Sequence, residues 1–293
     1  MTPIDIVIPW VNPADPKWFA DFSYWKTIET GDTCIGRFRD CNTIKYVLRS
    51  IEQNCPWCRN VFLLLASPSQ IPEWLNTHAA KLKIIYHADF IPSRYLPTFN
   101  SSLINIFVPD IPGLGQNYIF CNDDTFFTQL SNPEFFFING KPVYKISQIG
   151  TDDNSDFGML IQQDITFLSK VLNTKTKPYD TFHLPTSYNK EIAQFTKFLL
   201  TDFLDDIFAN SKFRQRKNIN EYIYFYAAIH LNYYINNSAT RGCFYFFTEE
   251  MTHFNMKYPM VCINERGDIS SQAIQALNIG LEQWFSKKSS FEK

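Results

Sequence analysis

The sequence has no apolar run that approaches the roughly 20 residues of a membrane-spanning helix. We therefore expect any membrane contact to be peripheral. The sequence also has no basic excess, since its formal net charge is -2, so a nucleic-acid partner is not expected. Residues 4–11 form a strand-like segment with no basic stretch before it, which predicts a cytoplasmic protein without a signal peptide.

Several common signatures of catalysis are missing as well. The sequence contains no Walker A loop, GxGxxG fingerprint, GxSxG elbow or HExxH helix, and the corresponding chemistries lose support. The cysteines number seven and are scattered, unlike a disulfide framework. Cys55 and Cys58 have CxxC spacing, but no second pair is present to complete a zinc site. We expect reduced thiols.

Aromatic and aliphatic residues are plentiful. The chain has 293 residues, of which 45% are hydrophobic, so it can bury one large domain with a substantial insertion. Aromatic residues reach 17%, with 28 Phe and 15 Tyr. A core of this size rarely needs so many rings, so some of them are expected to line a cleft or a contact surface.

The first half of the chain alternates apolar runs with helix-like segments, which is typical of a mostly parallel sheet with helices on both faces. Strands are predicted at residues 4–8, 61–65, 82–86 and 118–121. Helices are predicted around residues 44–51, 72–76 and 100–108, the first of them capped by Asp40 or Asn42. Ligands of such sheets bind beyond the carboxyl ends of the strands.

The second half is mainly helical. Helices are predicted at residues 164–172, 190–210 and 218–236, followed by a strand at 261–263 and an amphipathic helix that contains residues 274–285. This pattern predicts an α/β core in residues 1–160, a helical insertion or lid in residues 161–240, and a return to the core in residues 241–293.

The segment Asn122-Asp123-Asp124 directly follows the predicted strand 118–121. Two adjacent carboxylates repel each other, and Mg²⁺ or Mn²⁺ would relieve that repulsion while bridging two phosphates of a nucleotide sugar. A solvated turn or a helix cap is the alternative. The position at the end of a buried strand favours the metal site.

Three other segments carry candidate groups. Arg37 and Arg39 would face one anion together if their segment is extended. His183, between apolar neighbours, is a candidate general base, and the basic cluster 212–217 could neutralise phosphate charge. A solvated surface loop is the alternative for the arginine pair and for the basic cluster, and a buried core histidine is the alternative for His183. Residue type alone favours these alternatives for the arginine pair and for His183.

The order of these segments resembles the Stealth family, which comprises bacterial capsule hexose-1-phosphate transferases and the lysosomal-enzyme N-acetylglucosamine-1-phosphotransferase. The resemblance spans nearly the whole chain in four blocks. These are residues 4–12 with Asp15-Pro16, residues 39–124 from Arg39-Asp40 to Asn122-Asp123-Asp124, His183-Leu184-Pro185 with Phe213-Arg214, and Cys262-Ile263-Asn264 with Ser289-Ser290-Phe291-Glu292.

The resemblance implies a Rossmann-like, GT-A-like core and an essential aspartate, histidine and arginine, which fall on Asp40, His183 and Arg214. Two departures from the family pattern stand out. Glu265 follows Asn264 where the family usually has an Asn-Asp pair, and Asn12-Pro13 follows Trp-Val where Asp or Gly is usual. The change to Glu265 puts any metal or acceptor role of this residue in question. Asn12-Pro13 would reshape the loop that follows the first strand, where the nucleotide is expected to bind.

The implied reaction is the attack of a glycan hydroxyl on the sugar-linked phosphorus of a UDP-sugar, with release of UMP, in capsular or cell-surface polysaccharide synthesis. The resemblance implies a base at His183 or Asp40, phosphate contacts from Arg214 and Arg39, a divalent cation on Asp123 and Asp124, and substrate contacts from Asn12, Asn122 and Asn264. Two alternatives stay open: a metal-dependent glycosyltransferase that releases UDP, and a non-catalytic glycan-binding module whose aromatic cleft stacks on sugars.

Overall fold

The computed structural model describes residues 2–147, 155–239, 241–249, 254–265 and 268–293. Its strands are β1 (Ile4–Pro9), β2 (Val61–Leu65), β3 (Leu82–Tyr86), β4 (Asn117–Phe120), β5 (Thr125–Phe127), β6 (Phe137–Ile138), β7 (Lys141–Tyr144), β8 (Thr186–Asn189), β9 (Ile235–Asn236), β10 (Gly242–Phe247) and β11 (Met260–Glu265). Its α-helices are α1 (Pro16–Lys26), α2 (Thr43–Asn54), α3 (Ser101–Phe107), α4 (Asp156–Val171), α5 (Lys190–Leu199), α6 (Thr201–Phe208), α7 (Tyr222–His230) and α8 (Ser271–Trp284).

A five-stranded sheet in the order β3-β2-β1-β4-β8 forms the centre. The first four strands are parallel, and β8 adds an antiparallel edge beside β4. The chain runs outward from β1 to β3 and then crosses to β4 on the other side of β1. This reversal creates a switch point between β1 and β4, as in Rossmann-like folds. The predicted mostly parallel α/β core is confirmed.

The central strands are apolar because both faces of the sheet are covered. All five residues of β2, Val-Phe-Leu-Leu-Leu, are buried. One hydrophobic core lies between one face of the sheet and helices α3 to α7. The other core lies between the opposite face, helices α2 and α8, and a small second sheet.

The predicted helix around residues 44–51 is confirmed as α2, but its predicted cap is wrong. Asn42 precedes the helix with a positive φ of 58°, and its side chain makes no capping hydrogen bond. The backbone amide of Asn42 instead donates to Oδ1 of Asp40 at 2.8 Å. The left-handed turn at Asn42 therefore ties the Asp40 carboxylate to the start of α2.

The predicted helix at residues 72–76 is also wrong. Among the described residues of this loop, the only helical segment is a short 3-10 helix at Pro68–Gln70. Leu75 forms a β-bridge with Glu292, and the amide of Asn76 donates to the carbonyl of Phe291 at 2.8 Å. Pairing with the C-terminal segment thus takes the backbone groups that a helix would have used.

Helices of the second half differ in their bounds from the sequence pattern. α4 begins earlier than predicted, at Asp156, because the Ser155 hydroxyl accepts a hydrogen bond from the Gly158 amide at 3.0 Å and caps it. The predicted helix 190–210 divides at the buried Leu200 into α5 and α6, and the predicted helix 218–236 shortens to α7.

The proposed division of the chain at residues 160 and 240 stays a prediction, and residue 240 itself lies outside the described residues. Between these positions, α4 to α7 pack on one face of the central sheet, and β8 extends that sheet. In the part of the chain that the structure describes, no helix combines the length and the apolar content needed to cross a membrane.

The second sheet has the order β10-β11-β5. Its middle strand, β11, confirms the strand predicted at residues 261–263. β5 begins immediately after Asn122-Asp123-Asp124, so its pairing with β11 brings the end of β11 to the end of β4. The predicted C-terminal amphipathic helix is confirmed as α8, which Ser270 caps through a hydrogen bond from the Ala273 amide at 3.1 Å.

Candidate active site

A cleft of about 500 Å³ opens beyond the carboxyl ends of the parallel strands. Its lining includes the residues that directly follow three of these strands, together with one shortly after β4: Trp10 after β1, Ala66 after β2, His87 after β3 and Asn122 after β4. Open α/β sheets bind ligands at this edge, next to the switch point between β1 and β4. The topology therefore marks this cleft as the candidate active site.

One side of the cleft is acidic. Burial raises the pKa of Asp123 well above its usual range, and the charges of Asp124, Asp40 and Glu265 raise it further. These four carboxyl groups therefore lie within electrostatic reach of one another. Mutual repulsion of this kind is relieved by a cation or by protonation. The predicted pair Asp123 and Asp124 is thus joined by two acids from distant parts of the sequence.

The carboxylate of Asp124 is held by two side chains. Thr125 Oγ1 donates to its Oδ1 at 3.1 Å, and Asn264 Nδ2 donates to its Oδ2 at 2.9 Å. The backbone carbonyl of Asp124 also accepts a hydrogen bond from the Ile263 amide at 2.9 Å. In this structure, the amide of Asn264, a predicted substrate contact, orients the metal-binding candidate Asp124.

His183 reaches the same place because it precedes β8, and β8 pairs with β4. Its Nε2 lies 3.2 Å from Nδ2 of Asn122. With the amide nitrogen as the donor, the neutral imidazole carries its proton on Nδ1, so Nε2 is the basic nitrogen. The imidazole is partly exposed and lies against the edges of Phe157 and Phe244.

Asp124, His183 and Cys262 each offer a ligand atom, and these atoms lie within 4.8 Å of one another. Burial and the nearby Asp124 charge raise the pKa of the Cys262 thiol well above its usual range. A protonated thiol is a poor metal ligand. The carboxylate oxygens around Asp123 and Asp124 are the donors that hard divalent cations prefer. The residues present therefore fit a divalent cation of the Mg²⁺ type.

The other side of the cleft carries arginines. Arg37 forms a 2.7 Å ion pair with Asp32, and Arg214 lies 3.2 Å from the same carboxylate. Arg39 lies 3.4 Å from Glu265. The segment is not extended, since residues Ile35–Phe38 form a 3-10 helix, so the condition under which Arg37 and Arg39 would face one anion together is not met. Both arginines nevertheless line the cleft, together with Arg214.

Arg214 is placed by the aromatic residue before it. Phe213 is fully buried and packs against Phe22 and Phe99. Asn100 Nδ2 donates to the carbonyl of Ser211 at 3.0 Å and so fixes the backbone nearby. The basic cluster 212–217 does not act as one group, because the ammonium of Lys212 donates to backbone carbonyls away from the cleft.

Asp40 and Asn12 are next to residues that line the cleft, Arg39 and Val11, but do not line it themselves. Burial raises the pKa of Asp40, and the hydrogen bond from the Asn42 amide partly offsets this increase. Its charge acts on Asp123, as described above. Asn12 closes the turn after β1, since its Oδ1 accepts a hydrogen bond from the Ala14 amide at 3.0 Å. A direct substrate contact of Asn12 stays a prediction.

The geometry can now be compared with known proteins. A family model described as Stealth protein CR2, conserved region 2, matches residues 37–144. This segment holds Arg39, Asp40, Asp123 and Asp124. An exopolysaccharide phosphotransferase of Lactiplantibacillus plantarum is 27% identical, over 99% of this chain and 96% of the relative. Residues 37–144 of this chain are thus similar to the second conserved region of Stealth proteins.

Other relatives match this chain over different lengths. A capsular polysaccharide phosphotransferase of Streptococcus pneumoniae is 26% identical over 99% of this chain and 99% of the relative. A capsular polysaccharide phosphotransferase of Streptococcus thermophilus is 35% identical over 47% of this chain. That alignment spans 59% of the relative's own length, so the stronger local similarity covers only part of both chains.

The sequence analysis missed two acidic residues near this site. Asp32 joins Arg37 to Arg214. Glu221 is buried, and burial raises its pKa. A 2.8 Å hydrogen bond from Asn105 and the charges of His183 and Arg214 lower the pKa. Neither residue stands in a motif, so the sequence held no local signal for them. Glu265, at the family's usual Asn-Asp pair, contacts Arg39 and the Cys41 thiol.

Proposed function

We propose that this protein is a phosphotransferase of the Stealth family that moves a sugar-1-phosphate from a UDP-sugar to a glycan hydroxyl and releases UMP. The reaction would serve capsular or other cell-surface polysaccharide synthesis, as the names of the relatives indicate for those proteins. One observation carries the proposal. One cleft at the switch point of the sheet is lined by Asp123, Asp124 and Arg214, and the imidazole of His183 lies 3.2 Å from Asn122, which lines the same cleft.

The donor would lie across the switch point between β1 and β4. Arg39 and Arg214 would face its diphosphate, since guanidinium groups match phosphate oxygens. Asp123 and Asp124 would hold a Mg²⁺ or Mn²⁺ ion, which when bound would neutralise the diphosphate and the charge of departing UMP. The carboxylate cluster supports this assignment, because the charges of Asp124, Asp40 and Glu265 all disfavour ionisation of Asp123 and a divalent cation would offset them.

His183 is the proposed general base. Nε2 would exchange the Asn122 amide for the acceptor hydroxyl and take its proton. The hydroxyl oxygen forms a bond to the sugar-linked phosphorus, and the bond from that phosphorus to the bridging oxygen of UMP breaks. Arg214, together with Arg39, would stabilise the phosphoryl oxygens during this exchange. Asp40 would orient the group of charges or share the base role.

Three parts of the chain would contribute to this centre. We keep the division into residues 1–160, 161–240 and 241–293. The first supplies the acidic pair, the second supplies His183 and Arg214, and the third supplies Asn264 and Glu265. We place the protein in the cytoplasm, where nucleotide sugars are made, with peripheral contact to the inner membrane face or to the capsule machinery.

Nucleotide release tests the proposal. The purified protein is incubated with a panel of UDP-sugars, capsule oligosaccharides and MgCl₂ or MnCl₂, and the nucleotide product is identified by chromatography. UMP that forms only with acceptor supports sugar-1-phosphate transfer, and His183→Ala should suppress it. UDP would identify a glycosyltransferase. If oligosaccharides bind but no donor is consumed, the non-catalytic glycan-binding module is correct instead.

A further inference from the structure

The strand β10 presents aromatic side chains on both of its faces. It pairs in parallel with β11, so that Phe244 lies opposite Cys262 and Phe246 lies opposite Asn264. Residues two apart in a strand share a face, and paired residues of adjacent strands do so as well. Phe244 and Phe246 therefore share the face of Asn264, whose side-chain amide donates to Asp124. This face borders the candidate active site.

The aromatic rings lead outward from His183. The ring centroids of His183 and Phe244 are 5.5 Å apart, and those of Phe244 and Phe246 are 4.8 Å apart, both in edge-to-face geometry. Phe157 approaches the imidazole from α4 with a centroid distance of 6.3 Å. Phe246 is 46% exposed and Phe157 is 39% exposed. Solvent-accessible rings thus adjoin the proposed base.

Core packing does not explain this face. On the opposite face of β10, Phe247 is buried in the hydrophobic core of the small sheet and α8. An isolated exposed phenylalanine is common in soluble proteins and needs no explanation. Here, however, Phe157 and Phe244 contact the imidazole of His183, and Phe246 packs on Phe244 beside β11, whose Asn264 and Glu265 line the cleft. Such clusters of accessible rings are typical of ligand sites.

We propose that Phe157, Phe244 and Phe246 form the acceptor subsite and bind the apolar face of a pyranose ring. The proposal rests on the proposed function, because it takes His183 as the base that the acceptor hydroxyl must reach. A pyranose presents C–H groups on its faces and hydroxyls at its rim, and the negative face of an aromatic ring attracts C–H groups. Stacking on these rings would thus leave rim hydroxyls free to point at His183.

The donor and the acceptor would then bind to side chains of different chemical type. The charged diphosphate of the donor meets Arg39 and Arg214 on one side of the cleft. The acceptor sugar, which needs no charge for this contact, meets the phenylalanines on the other side of His183. Changing Phe246 should therefore alter the use of acceptor without altering the use of donor.

The kinetic test replaces Phe246 with Ala, Leu or Tyr. Phe246→Ala and Phe246→Leu should raise the acceptor KM roughly tenfold, which corresponds to about 1.4 kcal/mol. Phe246→Tyr should retain the wild-type value, because it keeps the ring. The donor KM should not change in any of them. Phe195→Ala is the matched control, since Phe195 is equally exposed, at 46%, but lies on helix α5 and not on the small sheet that carries Phe246.

A binding measurement without donor separates the subsite from the reaction. Saturation-transfer NMR with lactose and the methyl glycosides of glucose, galactose and N-acetylglucosamine should show sugar contact for the wild type and Phe195→Ala, and loss of contact for Phe246→Ala. This result would support the subsite even if no UMP were ever released, which would refute only the proposed function. An unchanged acceptor KM in Phe246→Ala and Phe246→Leu would overturn the subsite, as would the absence of sugar contact in the wild type.

Discussion

The imidazole of His183 is available for proton transfer because the hydrogen bond at its Nε2 is made to a neutral amide. Its neighbours are the Asn122 amide at 3.2 Å and the edges of two phenylalanine rings. An amide on Nε2 keeps the proton on Nδ1 and keeps Nε2 basic. A hydroxyl can replace that amide without breaking an ion pair or a core contact, which suits a base that must exchange partners in each reaction cycle.

Substitution of His183 should remove activity and leave the fold. We expect His183→Ala to lower turnover by about 10²–10⁴-fold, the usual contribution of a general base. Its melting temperature should stay near that of the wild type, because the side chain is partly exposed. Turnover and circular dichroism melts measure both effects. His78→Ala, an exposed histidine, is the control. Near-normal turnover in His183→Ala would move the base to another residue, with Asp40 as the first candidate.

The acidic cluster should show a conflict between stability and function. Asp123→Asn removes one of four mutually repelling carboxyl groups, so without divalent ions the variant should melt at a higher temperature than the wild type. Wild-type protein should gain stability from MnCl₂, by about 2.7 kcal/mol at a hundred times the dissociation constant. The variant should lose both this gain and its transferase activity.

The matched control for this cluster is Asp21→Asn, which neutralises an exposed aspartate on α1. It should melt like the wild type with and without MnCl₂. Equal stabilisation of the wild type and Asp123→Asn by MnCl₂ would contradict the assignment of Asp123 to the cation.

At the scale of elements, α2 is tied to the end of the chain by one buried arginine. Arg49 is 3% exposed, and its guanidinium donates to both carboxylate oxygens of Glu292 at 2.8 Å. It also donates to Glu282 at 2.9 Å and to the carbonyl of Phe285 at 2.7 Å. Since α2 begins just after Asp40, this clamp helps to fix the segment that carries part of the acidic cluster.

The clamp should make stability sensitive to acid. Burial alone would raise the pKa of Glu292, but the hydrogen bonds and charge of Arg49 outweigh it and lower the pKa to about 2. A carboxyl group with a lowered pKa in the folded state stabilises the protein fully above its unfolded pKa of 4.5. The contribution is lost as the pH falls from about 4.5 towards 2.

Urea unfolding of Glu292→Gln tests this clamp. At pH 7 the variant should be less stable by about 1.5–3 kcal/mol, the usual value of a hydrogen bond to a charged group. Between pH 5 and pH 3 it should lose less further stability than the wild type. Glu282→Gln is the comparison: Glu282 is 47% exposed, so its loss should cost less than about 1 kcal/mol. Equal acid sensitivity of Glu292→Gln and the wild type would refute the role of Glu292.

Some elements were predictable because their signal is local. The apolar runs of β1, β2 and β4 are buried on both faces, so short-range hydrophobicity identified them. β8 reads Thr-Ser-Tyr-Asn and has no such run; it is a strand because it pairs with β4. The helix predicted at residues 72–76 was wrong for the same reason, because pairing with the distant C-terminal segment determines the structure of these residues.

At the scale of the whole molecule, the same distinction applies to the candidate site. The pair Asp123 and Asp124 was predictable from its place after a strand. The convergence of His183 and Arg214 on that pair depends on β8 and on the burial of Phe213, and the sequence analysis anticipated it only through the family resemblance. Asp32 gave no signal at all, because its role arises from contact with Arg214, far away in the sequence.

The whole account depends on which bond of the donor breaks. A UDP-sugar labelled with ³²P at the sugar-linked phosphorus, incubated with the protein, MgCl₂ and capsule oligosaccharide, reports this directly. The account predicts that the label enters the glycan and that the released UMP is unlabelled, because the phosphorus travels with the sugar. Label that leaves as UDP while the glycan gains unlabelled sugar would contradict phosphoryl transfer and establish glycosyl transfer.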